Sequence, residues 1–141
     1  MVAVALVLVT VARRHPGLTV VLDHLGKPPI AAGWESDAAR RWADDVRDVA
    51  AVPTVVAKLS GLNTVSRPGW SARDWRPFVE HALTCFGGDR LMVGSDWPVC
   101  TLDGDYMRVM GGLLELVDEL SPTEQALIRV GTAQRVYGFR R

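Results

Sequence analysis

Four residues have the type and the placing for hydrolytic chemistry: His24, Lys58, Ser60 and Asp96. Asp96 ends the apolar run "RLMVGSD" and is followed at once by Trp97 and Pro98, and proline stops a strand because it has no N–H to pair. His24 ends "LTVVLDH" and Ser60 ends "TVVAKLS", two further runs rich in β-branched residues. A carboxylate partly removed from water can take a proton from a water molecule as it attacks a carbonyl carbon, then return one to the leaving oxygen. The developing oxyanion needs a metal ion, an arginine or an imidazole beside it, and His24 is the candidate imidazole. Lys58 could bind a substrate carboxylate or hydroxyl, Ser60 could hydrogen-bond to either, and Trp97 could stack on a ring. Each also has a plain structural reading. An aspartate before Trp-Pro caps a turn, a lone strand-end histidine hydrogen-bonds to its surroundings, and lysines are ordinarily solvated.

Positioning these groups falls to three strands, Leu18–His24, Thr54–Ser60 and Arg90–Asp96. Their apolar runs are mostly continuous rather than alternating, which predicts an α/β fold with a parallel sheet covered on both faces. Successive tips are 36 residues apart, the spacing of βα units. Right-handed crossovers place all three tips on one edge, where such sheets collect ligands. Strict alternation puts His24 with Leu22 and Val20, Ser60 with Lys58 and Val56, and Asp96 with Gly94 and Met92. With those faces turned inward the four residues meet, and Asp23 points away from His24.

Helices fill the intervals. In "WESDAARRWADDVRDVAA" residues Ala38, Trp42, Val46, Val49 and Ala50 share one face. "WSARDWRPFVEHALTCFGG" reads as a helix with Pro77 in its first turn and Gly87 or Gly88 as its stop. "DYMRVMGGLLELVDEL" reads as a helix weakened by Gly111 and Gly112, and Ser121, Pro122 and Glu124 open the last one with a capping box.

The totals narrow the function classes. At 141 residues and 48% hydrophobic content the chain amounts to one domain, residues 1–141. Sixteen basic and sixteen acidic residues cancel, which argues against nucleic acid or an anionic membrane surface as partner. Cys85 and Cys100 have no C-x-x-C spacing and read as reduced apolar fillers in a cytoplasmic setting. "MVAVALVLVTVA" lacks a basic start and a cleavage site and is too short to span a bilayer, so it reads as a buried helix or strand.

Taken together, "VVLDHLGKP", "AKLSGL", "FGGDRLMVGSDWPV" and "VGTAQRVYGF" resemble the C-terminal part of amidohydrolase-related, TIM-barrel lactone hydrolases, a family similar to sugar lactonases and 2-pyrone-4,6-dicarboxylate lactonases. The resemblance implies a partial (β/α)8 barrel, with the three strands as its sixth to eighth. It implies His24 as the sixth-strand histidine, Asp96 as the eighth-strand general base, both as metal-ligand candidates, a divalent metal such as zinc in some relatives, and a small lactone as substrate. The family's first-strand His-x-His pair has no counterpart, and Thr132 stands where relatives commonly carry asparagine. A barrel takes about 250 residues, so the expectation is a C-terminal fragment whose open sheet edges and bare inner face promote self-association. The alternative is a catalytically inert half-barrel that serves as an interaction module or needs a partner fragment.

Overall fold

The structure, a computed structural model, describes residues 2–139. Met1, which opens the apolar N-terminal segment, lies outside the described residues. In chain order the elements are helix α1 (Val2–Arg14), strand β1 (Val20–Leu22), helix α2 (Asp37–Ala50), strand β2 (Val55–Leu59), helix α3 (Ala72–Phe86), strand β3 (Leu91–Val93), helix α4 (Tyr106–Val117), the short helix α5 (Pro122–Ala126), a wide turn of π type over Leu127–Gly131, and helix α6 (Thr132–Tyr137).

The strands form one parallel sheet in the order β1-β2-β3, with Leu22 beside Ala57 and Lys58 beside Met92. Neighbours in register share a face. Leu22, Val55, Ala57, Leu59 and Leu91 therefore lie on one face, and all are buried in the hydrophobic core with Trp42, Val46 and Val49 of α2 and Trp75, Phe78, Val79 and Ala82 of α3. The opposite face carries Val56, Lys58 and Met92. Val56 and Met92 are buried, and the ring of Tyr137 from α6 lies 5.5 Å from Lys58 Nζ. The inner face expected to be bare is thus partly crossed by the C-terminal segment.

Local chemistry sets the helix limits. Ser36 caps α2 by accepting from the Ala39 N–H, and Asp105 caps α4 by accepting from Arg108 N–H. Asp74 accepts from the Ser71 N–H at the start of α3, and Gly87 ends that helix at φ +69. Pro77 consequently sits inside α3 rather than in its first turn, because the helix begins five residues before it. The expected capping box at Ser121 and Glu124 is present. Gly112, read as a weakness of α4, has a packing reason: a Cβ there would come 3.0 Å from the buried ring of Trp75. Thr132 is buried and donates to the Asp89 carbonyl at 3.0 Å.

One expectation needs correction. The apolar N-terminal segment forms a helix, but it packs on α2 along one side only, burying Ala5 and Ala12 while Leu6 and Val7 remain 67% and 62% exposed. Continuous hydrophobicity gave it no preferred face, and its main packing partner among the described residues is α2. Among the described residues no helix is long and apolar enough to cross a membrane.

Candidate active site

The three strands end one to three residues before the groups they were expected to carry, and the tips are turns. His24, Leu25, Gly26 and Lys27 all have positive φ, between 49° and 66°, and Asp96 has φ +57. Left-handed backbone costs L-residues on the order of 1 kcal/mol each, so the surroundings must enforce it. Leu25 is fully buried, and its carbonyl accepts from Trp42 Nε1 at 2.8 Å. An indole on α2 thereby pins the turn that presents His24.

That turn also corrects the alternation argument. Val20 and Leu22 face the helices, so simple alternation would have sent His24 to the same side as them, away from Lys58. The left-handed residues swing the imidazole instead to the β2 and β3 tips, where Nδ1 lies 2.8 Å from Ser60 Oγ and Nε2 lies 3.5 Å from Asp96 Oδ1. Asp23, expected to point elsewhere, continues the inner face and pairs with Lys58 at 2.7 Å.

Ser60 is only 1% exposed, so its hydroxyl is committed to the His24 ring. Engaging Nδ1 leaves Nε2 as the imidazole atom that faces Asp96 and the mouth. The Asp96 side chain is 11% exposed; its Oδ2 is buried with no hydrogen-bond partner. A buried carboxylate oxygen without a partner is costly unless something binds it. Its backbone is held from below: the Cys100 N–H donates to the Asp96 carbonyl at 2.9 Å, and the Cys100 carbonyl accepts from the buried Asn63 Nδ2 at 2.8 Å.

Lys58 stands apart from this trio. Burial pulls its ammonium down, but hydrogen bonds to Asp23 and Tyr137 and the Asp23 charge outweigh that and hold its pKa above the ordinary lysine value. Trp97 is 68% exposed at the rim, joined to Pro98 by a cis peptide. Trp42, Asn63 and Gly61 were not anticipated as parts of the site. For Asn63 and Trp42 the only sequence signal was a polar or indole N–H in a segment that must be buried.

For a divalent metal, the chemistry of the donors fits: imidazole nitrogen and carboxylate oxygen are zinc ligands. Nδ1 is anchored by Ser60 as a ligating histidine requires, and Asp96 Oδ2 lacks a partner. The described residues contain no group of three or more His, Cys, Asp or Glu that could hold a metal ion. His24 and Asp96 thus offer two donors of the kind a divalent metal takes, short of a complete set among the described residues.

The sequence profile of the amidohydrolase family matches residues 3–139. The chain belongs to the amidohydrolase family. Among curated relatives, it is 45% identical over 134 residues to an L-fucono-1,5-lactonase of Burkholderia multivorans, covering 89% of this chain and 45% of that protein. It is 28% identical over 126 residues to a 2-pyrone-4,6-dicarboxylate hydrolase of Comamonas testosteroni, covering 84% of this chain and 41% of that one. The crystal structure of an amidohydrolase from Burkholderia multivorans, 38% identical, superimposes on 94% of this chain with a TM-score of 0.87 in a form with bound HEPES and 0.85 in a form with bound zinc. The chain spans about half the length of these proteins, 45% of the lactonase and 49% of the HEPES-bound structure.

Proposed function

We propose that this amidohydrolase chain carries the general base of a lactone-hydrolysing site, Asp96, with His24 as its partner at the reacting carbonyl. The observation that carries this reading is the convergence of Asp96, His24 and Ser60 at the C-terminal ends of three parallel strands, within 2.8 and 3.5 Å of the imidazole. The lactonase names of the relatives support the bond class, and a sugar lactone such as L-fucono-1,5-lactone is the first substrate to try. In this reading β1, β2 and β3 are the sixth, seventh and eighth strands of a (β/α)8 barrel.

The steps follow from the positions. Water at the mouth gives its proton to Asp96 as it attacks the lactone carbonyl carbon, and the proton then goes to the ring oxygen as the C–O bond breaks, leaving a hydroxy acid. Ser60 holds the His24 ring so that Nε2 points at the carbonyl oxygen. Trp97 at the rim stacks on the ring of the substrate. Lys58, already paired with Asp23, shapes the inner wall rather than offering a free cation. His24 and Asp96 would supply two donors to a divalent metal, which when bound polarises the carbonyl.

The test is proton release from a panel of sugar and pyrone lactones, measured by pH-stat, for the 141-residue chain and for the protein of the full open reading frame that contains it. Release with at least one lactone, lost in Asp96→Asn, supports the reading. Turnover of no lactone by either protein overturns it.

A further inference from the structure

Gly61 is the residue on which the reacting pair closes. It follows Ser60, is buried, and has φ +61. A Cβ built on it would lie 2.8 Å from Asp96 Oδ2, 2.9 Å from His24 Nδ1 and 3.0 Å from His24 Cγ. Real Cβ atoms do not approach other heavy atoms so closely, and neither neighbour is the free end of a flexible chain. His24 is fixed by its left-handed turn and by Ser60, and the Cys100 and Asn63 bonds hold the main chain from which the short Asp96 side chain projects.

We propose that Gly61 is a positioning residue: its bare Cα is the floor across which the His24 imidazole and the Asp96 carboxylate approach each other, and any side chain there drives them apart. This rests on the reading of His24 and Asp96 as the reacting pair. The close approach, rather than the left-handed backbone alone, is the reason for glycine here. Gly138 has a similar left-handed φ of +69 with nothing within 4 Å of its would-be Cβ.

The experiment is a double-mutant comparison on the 141-residue chain, read by urea midpoint and by the 15N signals of the His24 ring. Gly61→Ala is made in the native background and in one carrying His24→Gly and Asp96→Gly, where the crowding side chains are gone and both left-handed positions suit glycine. The midpoint loss from G61A in the native background is at least twice the loss in the stripped background, because only the backbone penalty remains there. The His24 Nε2 signal of G61A moves toward its position in Asp96→Asn and is unchanged in Gly138→Ala. If G61A does not fold in the native background, folding of the stripped variant carrying it supports the proposal, and failure of both overturns it. Equal midpoint losses in the two backgrounds, or an unmoved His24 signal in folded G61A, also overturn it. None of these readouts uses lactone turnover. Loss of the coupling with lactonase activity intact removes the role of Gly61 alone, and intact coupling without activity removes the catalytic reading alone.

Discussion

Removing the Asn63 amide should loosen both the chain and its candidate base. Asn63 is fully buried and donates to the Cys100 carbonyl at 2.8 Å and the Asp103 carbonyl at 3.3 Å, tying the β2 tip loop to the loop that follows Asp96. Asn63→Ala takes the side-chain donor from the Cys100 carbonyl, at about 1–3 kcal/mol if it stays buried, while the Asp103 carbonyl keeps its bond from Trp70 Nε1 at 3.0 Å. Part of this is offset, because Asn63 Oδ1 has no partner and its removal relieves a buried orphan. The net loss is about 1 kcal/mol, which at a urea slope of about 2 kcal/mol/M lowers the midpoint by roughly 0.5 M. Asn63→Asp is the sharper probe, since it keeps the shape but turns an ionised oxygen toward two carbonyl oxygens. That raises the folded pKa of the new carboxyl above its unfolded value, so its contribution is least unfavourable below the unfolded pKa of about 3.9 and worsens as pH rises through the folded value. Urea melts at several pH values check this. A midpoint loss under roughly 0.3 M for N63A, or an N63D deficit that does not grow with pH, would refute the latch.

Further outcomes follow from other contacts. Trp42→Phe keeps an aromatic ring but deletes the indole bond to the Leu25 carbonyl and leaves a small cavity where the larger ring was buried, lowering stability by about 2 kcal/mol and shifting the His24 ring signals in an NMR spectrum; unchanged signals would separate Trp42 from the His24 turn. The folded pKa of Lys58 is raised, so the pair with Asp23 stabilises below the unfolded lysine value of about 10.4 and that contribution is lost as pH rises through the folded value. The Tm gap between the native chain and Lys58→Met should accordingly narrow in strong alkali, and a constant gap would rule the pair out. Burial pushes the Cys85 thiol up despite the lowering by Arg47 and Arg90, and Cys100 is fully buried. Both thiols should react with a thiol reagent at pH 8 far more slowly than in denaturant, and fast native labelling of either would contradict the packing.

The three strands were legible in the sequence because parallel strands covered on both faces need continuous β-branched runs, and the 36-residue spacing of the tips survives as the contact between His24 and Ser60. Their ends were not legible. The runs reach His24, Ser60 and Asp96, but the paired strands stop at Leu22, Leu59 and Val93, and His24 and Asp96 adopt left-handed backbone that only tertiary contacts enforce. Alternation therefore placed His24 on the wrong side of β1 and missed the pairing of Asp23 with Lys58. Gly112 read as a helix-weakening residue, and nothing in the sequence singled out Gly61, because a glycine's reason is the atom it makes room for, which the sequence does not contain. The apolar N-terminal segment was misread for a related reason. Hydrophobicity without periodicity marks a segment as apolar without saying how many neighbours it will have.

The central claim is that Asp96 moves the proton in lactone hydrolysis. Its most direct test is the kcat of Asp96→Asn against that of the native enzyme, on whichever lactone the panel identifies and in a protein shown to turn it over. General-base catalysis contributes about 10²–10⁴ in rate, so kcat should fall by that factor, with KM little changed and the His24 contact to Ser60 intact. Near-native turnover in the folded variant would contradict it.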